Sequence, residues 1–325
     1  MKYTHKLIKR IKAVLPYCVG FASIIVFWST DLPQSVELQL YDNYVKNKLV
    51  KDKSKLSQTI VIGITEDDIK KYGWPLDDIY IFEAIKKLNN LNISTIGIDL
   101  YRDVGVGKGA NTLARYARKN KKVVSIFNVA EGIESIPGMP IDRQAFNDMP
   151  IDIDNVVRRN LVAVDREKFN LSNQYTSLPM RLFEIHQKLN NNQNNLYKQL
   201  KNGFIGKLNK NSGGYRNLDA TGFQVLIDYT STSKIPIYSL ESILEEKNNP
   251  ELFTNKIAII GAVAPSLKDL FPTPESRFIK DSKNVLSSGA VIHAYRTNQL
   301  LLLNSGFSSG FKTISQFNEI FISLI

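Results

Sequence analysis

The sequence predicts an α/β fold: a mainly parallel sheet flanked by helices and preceded by an N-terminal transmembrane helix. Three observations carry this expectation. Apolar segments of strand length lie at 60–64, 93–100, 123–129 and 257–260, and the last is continuous instead of alternating, which suits a strand buried on both faces of a parallel sheet. Helix-spaced apolar residues lie between the first three runs, the rhythm of strands joined by right-handed crossovers. A basic flank followed by an apolar stretch opens the chain.

At 325 residues the chain is long enough for one large domain or two of ordinary size. Its 43% hydrophobic and 22% charged content are those of a folded protein. The net charge of +11 invites a nucleic-acid partner, but the lysines are scattered and no RNA- or DNA-binding motif accompanies them. A basic domain beside an anionic membrane surface accounts for the charge as well, and no nucleic acid is expected. Cys18 is the single cysteine, which excludes a disulfide framework and a thiolate metal site.

Taken in order, Lys2, Lys6, Lys9, Arg10 and Lys12 precede an apolar stretch over 13–28. Residues 13–30 are therefore expected to be a signal anchor in the cytoplasmic membrane, with 1–12 cytoplasmic and the main domain outside. A buried amphipathic helix is the alternative, but no polar stripe interrupts the run. Residues 37–50 have helical spacing and read as a connecting helix, and 51–57 as a polar linker. The first strand, 60–64, ends in Thr65, Glu66, Asp67 and Asp68. A helix follows Asp77 or Asp78, either of which can cap it. The second strand, 93–100, carries Asp99 near its carboxyl end; a helix around Leu113 and Ala117 and a third strand at 123–129 come next.

The middle is less regular. Residues 130–154, rich in Pro, Gly and Asp, read as a long loop, which in a compact domain signals either function or an unrecognised element. Strands are expected at 156–164 and 223–229, and helices around Leu178 to Leu189, at 239–244 and at 289–303. The polar run NNNQNN at 190–195 reads as a surface excursion. The apolar end, FNEIFISLI, is too short to span a bilayer and reads, within 311–325, as the start of a second membrane helix.

The stretch KIAIIGAVAPSLKDLFPTP at 256–274 combines a buried-type strand with a proline-guided loop, placed where open α/β sheets bind ligands. Together with ELQLYD, IVIGITEDDI, GWP at 73–75, IGIDLY at 96–101, DIDNVVRR at 152–159 and VIHAYRTNQLL at 291–301, it resembles the CHASE2 domain, the extracytoplasmic sensory module of bacterial transmembrane receptors. The resemblance covers nearly all of 31–310. It departs at Leu76-Asp77-Asp78, where Trp-Pro-Arg is frequent, at Asn155 for a frequent Gly, at Tyr295 for a frequent Asn, and at the NNNQNN insert. It implies a receptor input between membrane helices whose output is a cytoplasmic kinase or cyclase. No such output lies within these residues, so a truncated receptor, a sensory half working with a separate kinase or cyclase, and a remnant are the expectations. A small ligand or a periplasmic partner, and a homodimer, are the other partners it allows.

Six residues stand out as candidate ligand contacts: Glu66, Asp67, Asp99, Arg158, Asp269 and His293. Carboxylates 66, 67, 68 and 99 follow two strands and would suit a cation or an amine at one sheet edge, although capping of the following helices by solvent-facing carboxylates is the preferred account. Arg158 and Arg159 would point to opposite faces of a strand, so only one can join a given site while the other pairs with Asp152 or Asp154. Gly105, Gly107 and Gly109 fail the phosphate-loop spacing and read as a flexible turn. His293 reads in preference as a packed helix histidine, with a ligand contact or a general base as the alternative, and Trp74-Pro75 as a rigid turn buried under the first helix. No cofactor is expected. Without a GxSxG elbow, an HExxH motif or a Cys/His pair, a sensor is preferred to an exported α/β hydrolase, with a structural dimerisation module as the third reading.

Overall fold

The 256–274 stretch forms the centre of the sheet. Its strand, Ile257–Ala262, sends Ile257 and Ile259 to one apolar layer and Ala258 and Ile260 to the other, all four without measurable exposure. A strand with no wet face requires an unbroken apolar sequence, and this one has it. The computed structural model describes residues 2–30, 32–49, 57–128, 130–164, 175–192, 196, 206–212, 214–230, 234–246, 248–276, 286–306, 311, 313, 318, 321 and 322. The expected linker at 51–56, most of 311–325 and part of the NNNQNN insert lie outside them.

In chain order the elements are α1 (Lys2–Ser29), α2 (Leu32–Leu49), β1 (Thr59–Ile64), α3 (Glu66–Tyr72), α4 (Asp78–Asn90), β2 (Thr95–Asp99), α5 (Ala110–Lys119), β3 (Val123–Phe127) and β4 (Gln144–Phe146). Then come β5 (Arg159–Ala163), α6 (Leu178–Leu189), β6 (Phe223–Leu226), β7 (Ile237–Ser239), α7 (Leu240–Leu244), β8 (Ile257–Ala262), β9 (Leu270–Phe271), β10 (Ser287–Ser288) and α8 (Gly289–Asn304). Six strands form one parallel sheet in the order β4-β3-β2-β8-β1-β7. Helices α4, α5 and α7 cover one face through Ile81, Ile85, Leu88, Leu113, Leu240 and Ile243; α6 and α8 cover the other through Leu178, Leu182, Leu300 and Leu301. The predicted parallel α/β layer is thus present. Two short antiparallel ladders, β5 with β6 and β9 with β10, lie outside it.

Several local expectations need correction. The predicted loop at 130–154 contains a 3-10 turn, Ile141–Arg143, and the edge strand β4, whose three residues are too few to show a period. The strand expected from 156 begins at Arg159, and the three residues of β7 escaped notice for the same reason as β4. Neither Asp77 nor Asp78 caps α4 with its side chain. Instead the carbonyls of Val106 and Lys108 accept from the Asp78 and Ile79 N–H groups at 3.0 and 2.8 Å, so the glycine turn is pinned onto that helix. Gly109 stands there at φ 90°, with Ile79 backbone only 2.5 Å from where a Cβ would be. Asn155 takes φ 63°, the left-handed backbone for which Asn substitutes for Gly.

Among the described residues no helix is long and apolar enough to cross a membrane, so the span expected over 13–30 is not supported on that measure. Pro16, Tyr17, Gly20 and Ser23 dilute the run. Even so, Ile11, Val14, Leu15, Val19, Phe21, Ile25 and Val26 are each more than half exposed. Helix α2, in contrast, is docked. Leu38, Asp42 and Val45 are buried on one of its faces, and Tyr41 donates to the Ile227 carbonyl at 2.6 Å.

Candidate functional site

The carboxyl ends of β2, β3, β4 and β8 open on a cleft of about 720 Å³, closed on one side by the first turns of α8. This is the edge at which open α/β sheets bind ligands. Asp99 ends β2 and faces Gly261 of β8 in register. A Cβ on Gly261 would lie 2.7 Å from the Ala290 Cβ and 3.3 Å from that of Asp99, so the glycine lets β8, α8 and the Asp99 side chain approach one another. Asp269 arrives from the loop after β8, which a 3-10 turn at Pro265–Leu267 and Lys268 at φ 58° fold back over the sheet edge. The Gly289 N–H donates to the Asp269 carbonyl at 3.2 Å, fixing that loop to the start of α8. Asn147 and Asp148 follow β4 directly.

A chain of hydrogen bonds lines the floor. Asn128 Nδ2 donates to the Tyr101 hydroxyl at 3.1 Å, Tyr101 donates to Asn147 Oδ1 at 3.0 Å, and Asn147 Nδ2 donates to Asp99 Oδ1 at 3.3 Å. Burial, reinforced by the negative charge of Asp269, pushes the Asp99 carboxyl up to about 7, against the opposing effects of Asn147 and Arg296. Burial also raises Asp269 and Asp148 above the usual carboxylate range. His293 is buried on α8, and desolvation together with the Arg296 charge holds it well below its ordinary value, so the ring is neutral.

Of the sequence candidates, Asp99, Asp269 and His293 line this cleft. Glu66 and Asp67 do not. Glu66 accepts from the Ser266 N–H at 2.8 Å, and Asp67 pairs with Lys70 in the open at 2.9 Å. Their neighbour Asp68 is the buried one: it completes a capping box with Thr65 and accepts from the Glu241 N–H at 2.8 Å. Arg158 lies away from the cleft, without solvent exposure, forked onto Asp42 of α2 at 2.7 Å and bonded to Asp152 and Asp154. Arg159 shares Asp152 at 2.7 Å, so both arginines are structural where one was offered to a ligand. The turn at Trp74 is a further correction: the residue is 43% exposed and lines the cleft instead of lying buried under α4.

Asp148, Tyr101, Asn128 and Asn147 were missed. The signal for Asn147 and Asp148 was their place just after a strand, invisible while that strand read as loop. Two arginines near the cleft are committed elsewhere. Arg102 donates to Asp78 at 2.7 Å, and Arg296 donates to Asn160 Oδ1 and the Leu161 carbonyl at 2.8 and 2.9 Å. Among the described residues no group of three His, Cys, Asp or Glu side chains is placed to hold a metal ion. The cleft lining is therefore net acidic, with apolar walls and one cation among the described residues, Arg102, that is already paired.

The model of the CHASE2 domain family matches residues 18–325. The chain belongs to the CHASE2 family. CHASE2 domains are extracytoplasmic sensory modules. No curated protein and no solved structure matches this CHASE2 chain.

Proposed function

We propose that this CHASE2 chain is the extracytoplasmic input of a bacterial transmembrane receptor, that it binds a small ligand in the carboxyl-edge cleft, and that it passes the change to an output domain. The observation that carries this reading is the cleft itself, of ligand size and walled by elements distant in sequence. Contacts run from it toward the N-terminal helices. His293 and Arg296 are one turn apart on α8, Arg296 holds Asn160 on β5, and the adjoining Arg158 holds Asp42 on α2. Contiguity alone is not coupling; the ligand must bind two arrangements of these contacts unequally. Membrane attachment through α1 is part of the proposal, supported by its apolar side chains at 11, 14, 15, 19, 21 and 25, each more than half exposed.

A thermal-shift screen of the full chain in detergent, spanning divalent cations, small anions, amino acids and amines, tests the reading. One class should raise the midpoint, and Asp99→Ala or Asp269→Ala should remove the rise. The second reading is a hydrolase, favoured by Asp99 titrating near neutrality, where a general acid or base works best. Turnover of ester or phosphoester substrates abolished by the same substitutions, with no ligand shift, would replace the sensor with that enzyme. Dimerisation with neither would leave a structural module.

A further inference from the structure

Resting on the sensor reading, we infer that the cleft selects a small organic cation, an ammonium group carried on an apolar body. The charged side of the lining is net acidic: the carboxyl groups of Asp99, Asp148, Asp269 and Glu131 stand against Arg102 alone among the described residues. An anionic ligand would have to approach these charges against a lining whose one cation among the described residues, Arg102, is already paired with Asp78 at 2.7 Å. A bare metal ion fits poorly. The volume of about 720 Å³ is that of a molecule, and no three metal-ligating side chains converge among the described residues.

The remaining wall is apolar and partly aromatic. Trp74 is 43% exposed, and Met149, Ile151, Leu267 and Phe271 continue the surface. An ammonium between carboxylates and an indole face gains both charge-assisted hydrogen bonds and a cation–π contact, while its carbon frame covers the apolar side. A positive ligand also relieves the mutual repulsion of Asp99 and Asp269 and favours the ionised form of both. Bound below neutrality, it should therefore expel a proton.

Calorimetry on the full chain in detergent tests this with putrescine and phenethylamine as cations, succinate as anion, glucose as neutral molecule and calcium as metal ion. At least one amine should bind, and Asp99→Asn or Asp269→Asn should weaken it about tenfold or more, the scale of a lost bond to a charged group. Trp74→Ala should weaken it several-fold, with proton release at pH 6.5 that Asp99→Asn abolishes. These near-isosteric carboxamide changes preserve shape, and an unchanged melting midpoint verifies the fold. Binding of succinate, glucose or calcium in place of the amines, lost in Trp74→Ala, would overturn the cation class while leaving the cleft as a sensor site. Absence of binding by every probe, with the fold intact, would overturn the inference and the sensor reading together.

Discussion

Asp99 shows how a residue's position turns an ordinary carboxylate into a titrating group near neutrality. It was visible in the sequence as a charge at the end of an apolar strand, but its partner Asp269 stands 170 positions later. The sign of its effect on stability follows from the direction of its shift. A carboxyl raised from 3.8 to about 7 binds its proton more tightly when folded than when unfolded. Its contribution is full below about 3.8 and is lost as pH rises through about 7. The melting midpoint of the full chain should therefore contain a component that falls between those values, and Asp99→Asn should flatten it. An unchanged slope in differential scanning calorimetry of the variant would show that Asp99 is not the group responsible.

At the scale of elements, the Arg158 clamp ties α2 to the domain. Burial opposes its charge, yet hydrogen bonds to Asp42, Asp154 and Asp152 outweigh that penalty and raise its pKa. The pair with Asp42 has no exposure on either side, so it is costly to break from one end: removing the guanidinium strands a buried carboxylate. Arg158→Met should cost about 3–5 kcal/mol in urea denaturation. Arg158→Lys should recover little, since an ammonium cannot reproduce the fork. A loss below about 1 kcal/mol, typical of exposed pairs, would mean that α2 is held by Leu38, Val45 and Tyr41 instead. The sequence placed Arg158 beside Asp152 and Asp154 but could not show Asp42, because that contact crosses 116 positions. The strands β4 and β7 were hidden for a different reason: with three residues each, they are specified by the neighbours they pair with, not by their own pattern.

For the whole molecule, the open question is what α1 packs against. Its apolar side chains face outward on the described residues, and burying such surface is worth about 25 cal/mol per Å². A lipid surface or the bilayer interior would bury it. Expressed in a bacterium, the full chain should sediment with membranes and resist carbonate extraction, and deletion of residues 1–30 should release it. Recovery of the full chain in the soluble fraction would sink the membrane attachment and with it the receptor topology.

The sequence by itself determined the parallel α/β layer, its main helices and the family, because apolar runs, helical spacing and the 256–274 motif are local patterns that burial imposes residue by residue. It also named Asp99, Asp269 and His293 separately. Only the tertiary structure decided that these three line one cleft with Asp148 and Trp74, while Arg158, Glu66 and Asp67 serve elsewhere. The strand order β4-β3-β2-β8 brings together loops from four distant parts of the chain. Convergence of that kind leaves no trace in the spacing of neighbouring residues.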